Sequence, residues 1–396
     1  MYIEVKVQTD FLDNNVLDQA RSISPGLADR AYEADQVKKL SQQTVDDVIK
    51  TGMLAMSIPK TFGGSEANLL TRYEVFKHLG SACAATSWCI GNHNMACARL
   101  YSLMGEKASY YLTDVSDNGS VISQGVVPSG QVSKSSSGYT LSGHWQFLSF
   151  SLYAKWMLLC TKLPTESDTP KIGYVIVPAD LPGLELQDTW HTMSLKASMS
   201  NDLLVQDVPI DENWIMENKP VVKGDDVPFA LRNPAGFSLG PAATVLGVAE
   251  AAIEETIQVA NSTNVSTGGL SNTVTADPIK RSEKIGNQFA MADSIIELES
   301  AKAFLNQELY NYTFETYNGL PLAEDRLIKL QMAGNLAREN AQSAVERLFK
   351  IRGANGLYET KSFERYYRDV RIGTLPSPSN PDMIRERIGR FMFGIK

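Results

Sequence analysis

The chain has 396 residues, 43% of them hydrophobic and 21% charged, with a net charge of −8. That is length for two or three domains' worth of core, and the acidic balance offers no basic field to hold a nucleic-acid backbone. Residues 1–10 lack the basic start and apolar run of a signal peptide. The longest apolar stretch, 152–163, is broken by Lys155 and Lys162 and falls short of the roughly 20 residues of a membrane helix, so a cytoplasmic protein without a membrane partner is predicted.

Residues 1–118 read as a helical domain. Segments 31–51 and 70–79 carry apolar residues three and four apart. Pro59 and Gly63-Gly64 interrupt them, with Ser65 as the expected N-cap of the next helix. Residues 119–225 change period. Short runs at 120–127, 139–141, 156–161, 173–178 and 203–208, mostly β-branched and aromatic, alternate with Gly, Ser, Pro and Asp clusters, the pattern of a β-barrel or sandwich. Residues 226–396 return to long helices at 241–260, 278–307 and 323–352, with Ala-rich runs at 242–252 and 336–348 that favour helix and close packing. A loop rich in Ser, Thr, Asn and Gly is expected at 261–275. The third region predicts a four-helix bundle, whose free ends and faces suit subunit contacts, so an oligomer is expected.

Three motifs stand out. In the first, Gly138 leads into a strand carrying Trp145, Phe147 and Ser149. Side chains two apart share one strand face, so Phe147 is placed to lie against a flat ring system while Ser149 bonds its polar edge; a strand with an inward aromatic is the plainer alternative. In the second, Gly353 and Gly356 precede Arg365, Arg368, Asp369 and Arg371. Glycines admit a phosphate close to the backbone, and an ion network is the alternative. In the third, Trp190, Lys196, Ser198 and Ser200 precede a strand, in a turn that suits a polar ligand or is simply polar.

Taken together at this spacing, these motifs resemble the acyl-CoA dehydrogenase superfamily over nearly the whole chain, nearest to its flavin-dependent oxygenase branch. The stretch from Gly138 to Ser149 looks like those oxygenases' strand under the flavin, Ser123 to Gly130 like the strand before it, Ser87 to His93 like the helix beside the substrate pocket, and Gly353 to Asp369 like the superfamily's C-terminal signature. The resemblance implies an α+β fold of helical N-terminal domain, β domain and four-helix bundle, assembled as a homotetramer or homodimer. It implies FAD, with FMN possible, contacted by Gln124, Val126, Phe147, Ser149, Ser198, Ser200 and Ser379. Arg281 and the turn containing Gly353, Asn355 and Gly356 would serve the dinucleotide of a neighbouring subunit, and that turn favours FAD. Trp88 and Asn92 would meet the substrate.

The departures from the pattern concern the base. Family dehydrogenases place a Glu shortly after the Arg-Asp pair; Ser377 stands there instead, and a hydroxyl without an activating partner is a poor proton acceptor. Glu250, Glu254 and Glu255 lie on the helix where some relatives carry a relocated base. Of the histidines, His93 is preferred to His144 as catalytic candidate, with Asn92 beside it. Cys89, His93 and Cys97 share a helix face, but one straight helix does not converge three ligands on an ion, so no metal is expected. No Gly-x-Gly-x-x-Gly for a nicotinamide cofactor follows a strand. The expected function is an oxygenase working through a C4a-(hydro)peroxyflavin on a small aromatic, amine or CoA- or carrier-bound substrate with O2. Reduced flavin would come from a separate reductase or from the substrate. The alternative is an acyl-thioester dehydrogenase or oxidase with a moved base.

Overall fold

The computed structural model describes residues 9–136, 138–166, 169–222, 239–265, 278–376 and 380–395. Asp13 starts α1 (Asn14–Val37) by accepting hydrogen bonds from the N–H groups of Asn15 and Val16. The helix predicted at 31–51 is in fact two. Lys38 turns left-handed (φ 56°) and ends α1; Ser41 then caps α2 (Gln42–Lys50) through the Thr44 N–H. The next helix, α3 (Leu69–Ala82), is capped by Asn68 rather than Ser65, because the Asn68 carboxamide reaches the Thr71 N–H at 2.9 Å. α4 (Ala84–Met104) follows almost without a break, then α5 (Ser109–Asn118), which stops at Gly119 in a left-handed conformation.

Seven strands follow: β1 (Val121–Ser135), β2 (Gly138–Leu148), β3 (Ala154–Leu163), β4 (Lys171–Pro178), β5 (Leu184–Gln187), β6 (Asn201–Ile210) and β7 (Ile215–Glu217). They form one mixed sheet in the order β5-β6-β2-β1-β3-β4-β7, parallel only between β1 and β3. Its inner core is organised by Trp145, which is 1% exposed and donates its indole N–H to the Cys160 carbonyl at 2.6 Å. The indole lies over glycines: a Cβ at Gly125 or Gly143 would come within 2.8 or 2.7 Å of it. β1 also breaks register with β3 between Gly125 and Gly130, a bulge that bends the strand next to the site described below.

The C-terminal region contains α6 (Leu239–Ser262), a two-stranded ribbon of β8 (Asn264–Val265) and β9 (Ile279–Lys280), α7 (Ile285–Tyr317), α8 (Glu324–Arg352), α9 (Ser362–Asp369) and α10 (Pro381–Met392). The helix expected from 278 therefore begins at Ile285. The expected boundary at 225/226 and most of the 261–275 loop lie outside the described residues. α7 packs on α8, α6 on both α8 and α3, and the short α10 on α8. The α3–α6 crossing is unusually tight. A Cβ at Gly80 would stand 2.5 Å from the Thr244 carbonyl oxygen, and one at Gly247 would overlap the Lys77 carbonyl. Glycine at both positions lets the two backbones touch. Among the described residues, no helix is long and apolar enough to cross a membrane.

Candidate active site: a hydroxyl chain and a cavity on either side of helix α4

The first turns of α4 are buried between the sheet and α6, and they carry the site. Trp88 donates its indole N–H to the Ser149 hydroxyl at 3.1 Å; Ser149 and Ser200 hydroxyls are 2.8 Å apart, and Ser200 and Ser198 hydroxyls 2.8 Å. All four residues are buried. Ser123 adds a hydrogen bond to the Ser149 carbonyl at 2.7 Å. Gln124 donates its amide to the Asn92 carbonyl at 3.0 Å, while its own Oε1 is buried without a partner among the described residues.

Phe147 and Ser149 do not share a strand face as expected. The β2–β6 register slips between Trp145 and Leu148, and Phe147 and Phe150 both have positive φ, 65° and 67°. The chain therefore turns over. Ser149 enters the interior and Phe147 remains 64% exposed, edge-on to Trp190 at 6.2 Å. Opposite, Leu195 and Met199 are also left-handed, and Phe150 N–H bonds the Ser198 carbonyl at 2.9 Å. Four non-glycine residues in this costly region within one patch are overdetermined by their surroundings, as is common at ligand sites.

The Arg-Asp pair of the C-terminal motif holds that second turn. Asp369 accepts the Leu195 N–H at 2.7 Å. Arg368 reaches the Met193 carbonyl at 2.6 Å, the Asp35 carboxylate at 2.8 Å and Glu364 at 2.6 Å. Burial raises the Asp369 carboxyl to about 6, against the lowering effect of the Leu195 N–H and Arg368. The cluster is thus an ion network, and what it orders is the turn bearing Ser198 and Ser200.

His93 is 1% exposed and has both ring nitrogens committed to the main chain. The Ile122 N–H donates to Nδ1 at 2.9 Å, so the proton sits on Nε2 and faces the Leu54 carbonyl at 3.0 Å. Burial pulls its pKa down to about 4, which keeps it neutral. Held in this way, the imidazole ties α4 to β1 and to the loop before α3. His144 lies beyond the site, paired with Asp202 at 3.1 Å. Cys89 donates to the Ser198 carbonyl, an interior packing role. Ser377 and Ser379 lie outside the described residues.

Arg281 and the glycine turn are brought together. Arg281 donates to the Ile351 and Arg352 carbonyls, the latter at 2.9 Å, and so caps α8 where Gly353 turns left-handed. Asn355 is exposed and Gly356 buried.

On the other side of α4 lies a cavity of about 60 Å³ between α3, α4 and α6. Trp88 and Asn92 line it, as do Ser57, Arg72, Leu239 and Thr244. The last four were missed in the sequence. The one available signal was Arg72, a charge inside a segment otherwise read as apolar-faced helix. No carboxylate is among the described lining residues. Glu250 pairs with the fully buried Lys302, and Glu255 with Arg352 at 2.7 Å.

Two family descriptions match the chain: acyl-CoA dehydrogenase, N-terminal domain, over residues 15–111, and acyl-CoA dehydrogenase, C-terminal domain, over residues 239–376. The chain belongs to the acyl-CoA dehydrogenase superfamily. It is a flavin-dependent oxidoreductase of that superfamily. It is 26% identical to indole-3-acetate monooxygenase of Acinetobacter baumannii, over 92% of this chain and 90% of the relative. To the oxygenase subunit HsaA of a flavin-dependent monooxygenase of Rhodococcus jostii it is 22% identical, over 94% and 97%. XiaF from Streptomyces sp., solved in complex with FADH2 and glycerol, superposes with a TM-score of 0.86 at 19% identity, over 97% and 96%.

The residues present fit a flavin. The unpartnered Gln124 Oε1 suits a ring N–H, the hydroxyl chain suits a polar ring edge, and exposed Phe147 with Trp190 offers an aromatic face. For a superfamily dehydrogenase with its base moved to α6, Glu250 and Glu255 are badly placed, since both are held in ion pairs away from the cavity.

Proposed function

We propose that this chain is the oxygenase component of a flavin-dependent monooxygenase that inserts an oxygen atom from O2 into a small aromatic substrate, with reduced flavin supplied by a separate reductase. The observation that carries this reading is the conjunction of a furnished flavin edge (Trp88, Ser149, Ser200, Ser198) with a neighbouring cavity whose described lining has no carboxylate. Such a cavity lacks the proton acceptor an acyl-thioester dehydrogenase requires. The relatives named as an indole-3-acetate monooxygenase and as an oxygenase subunit support the aromatic substrate and the separate reductase.

Bound reduced flavin supplies the two electrons that activate O2. The protein's part is to hold and to shield. Gln124 and the serine chain would hold the polar edge of the flavin, Phe147 and Trp190 would offer it an aromatic face, and Trp88 with the apolar part of the cavity wall would keep water out. FAD fits the glycine turn at 353–356, with FMN the alternative. Exposed Ile285, Phe289 and Ile296 along α7 support a homo-oligomer.

Stopped-flow absorbance tests the proposal. The flavin-loaded protein is reduced anaerobically and mixed with oxygenated buffer. A transient spectrum that is neither reduced nor oxidised flavin is expected. Direct return to oxidised flavin, together with bleaching by an acyl-CoA under nitrogen, would overturn the proposal in favour of a dehydrogenase.

A further inference from the structure

The cavity between α3, α4 and α6 holds more hydroxyl protons than the fold consumes. We infer that it is a carbonyl subsite, in which the Tyr73 and Ser57 hydroxyls donate to an acceptor oxygen on the head of an uncharged aromatic ligand. The identity of that ligand as substrate rests on the oxygenase reading; its binding does not.

Tyr73 lies on α3, lines the cavity and is 2% exposed. Its hydroxyl is buried with no hydrogen-bond partner among the described residues. A buried polar group in that condition carries a desolvation cost that a ligand can relieve. Burial first, and then the carboxylates of Glu74, Glu250 and Glu299, push its pKa well above the ordinary phenol value, so the hydroxyl stays protonated and has a proton to give.

Ser57 is fully buried in the same wall. It accepts from Arg72 Nη1 at 2.9 Å, and among the described residues its own O–H has no acceptor. Arg72 is engaged by the protein itself; it is not left over as the counter-charge of an anion, and a neutral head needs none. The other polar groups of the wall are satisfied. Ser87 donates to the Phe76 carbonyl at 2.8 Å and accepts from Thr244 at 2.8 Å; Asn92 donates to the Trp88 carbonyl at 2.9 Å; Asn94 takes the Ser57 N–H at 2.8 Å and donates to the carbonyls of Met53 and Ile90.

Two hydroxyl protons therefore remain. A carbonyl oxygen, with two lone pairs, takes both, whereas a hydrocarbon head takes neither and leaves both buried unpaired. A volume of about 60 Å³ brings both residues to one head group and is too small for a ring. Phe76, Met95 and Leu239 supply apolar wall. Trp88, which lines the cavity and donates to Ser149, marks the side on which the body of the ligand reaches the flavin edge.

The test compares acetophenone with α-methylstyrene, which has the same shape but CH2 in place of the carbonyl oxygen. Binding to the oxidised, flavin-loaded protein is read by the flavin difference spectrum and by tryptophan quenching. Tyr73→Phe is expected to weaken acetophenone about tenfold and to leave α-methylstyrene within about a factor of two; Ser57→Ala should act in the same direction. Without ligand, Tyr73→Phe should melt no lower than the unmodified protein, because the hydroxyl it removes has no partner to lose. Equal effects on the two ligands, no binding of acetophenone at millimolar concentration, or a lower melting temperature of the ligand-free variant would each overturn the subsite. If Tyr73→Phe loses flavin, the infrared carbonyl band of acetophenone bound to the unmodified protein decides: a band lowered at least as far as in water supports the two hydrogen bonds, and the position it has in a hydrocarbon solvent overturns them. Carbonyl-dependent binding in a protein whose reduced flavin reoxidises with no transient spectrum would keep the subsite and reject the oxygenase; a transient spectrum with no carbonyl dependence of binding would do the reverse.

Discussion

Replacing His93 by leucine separates a structural histidine from a catalytic one. Leucine keeps most of the bulk but leaves the Ile122 N–H and the Leu54 carbonyl buried without the partners they have at 2.9 and 3.0 Å. Each orphaned group costs about 1–3 kcal/mol, so a loss of about 2–6 kcal/mol is expected, a large share of a typical domain's 5–15 kcal/mol or so. The pH dependence supplies a second signature. The folded imidazole is held near a pKa of about 4, against about 6.5 in the unfolded chain. Between those values the unfolded state binds more protons. The unmodified protein therefore loses stability as pH falls through that window, and the leucine variant lacks this contribution. Urea unfolding followed by tryptophan fluorescence at about pH 7.5 and about pH 5 should show the variant weaker at the higher pH and the gap narrowing at the lower. A leucine variant that unfolds at the unmodified protein's urea midpoint and binds flavin, yet does not turn over, would refute the structural assignment and restore His93 to the chemistry.

Two further substitutions probe the flavin side. Ser149→Ala removes the acceptor of the Trp88 indole N–H and a partner of Ser200; at about 1–3 kcal/mol for a buried unpaired donor, flavin should bind roughly tenfold more weakly in a fluorescence titration, and unchanged affinity would show that the hydroxyl chain does not serve the cofactor. Asp369→Asn keeps an acceptor for the Leu195 N–H but cannot titrate. Because the folded carboxyl sits at about 6 rather than 3.8, the native state binds more protons between those values, so the unmodified protein should lose stability relative to the variant as pH rises through the window, by on the order of 3 kcal/mol; a difference in melting temperature that stays flat with pH would contradict the burial argument.

The fold could be read because each region has its own period, and the site only in part because its decisive features are not periodic. Ser149 stands out in the motif that opens at Gly138, Ser198 and Ser200 in the polar turn after Trp190, and the structure joins them through hydroxyls. The relation of Phe147 to Ser149 was misjudged because alternation along a strand presumes negative φ, and Phe147 departs from it. His93 looked like a base beside a pocket, but its neighbours in space, Leu54 and Ile122, offer main-chain groups, which no residue type announces. Arg72 was hidden by the reverse effect. On a helix buried on nearly every side, one charge reads as a solvent-facing position unless the covering helix, far along the chain, is already known. The split between α1 and α2 at Lys38 was missed because a lysine seldom marks a left-handed turn.

The glycine contacts between α3 and α6 also bear on how the protein is made. Helix α3 is buried on nearly every face, and the partner that lies against Gly80, Thr244 on α6, comes after the whole seven-stranded sheet in the sequence. On the ribosome the N-terminal helices emerge long before α6, with the face of α3 around Lys77 and Gly80 still lacking that cover. A nascent chain in this condition exposes apolar surface for as long as the whole sheet takes to be synthesised. The cavity between α3, α4 and α6 thus cannot close until α6 has been made, and a chain truncated before α6 is expected to aggregate rather than to fold.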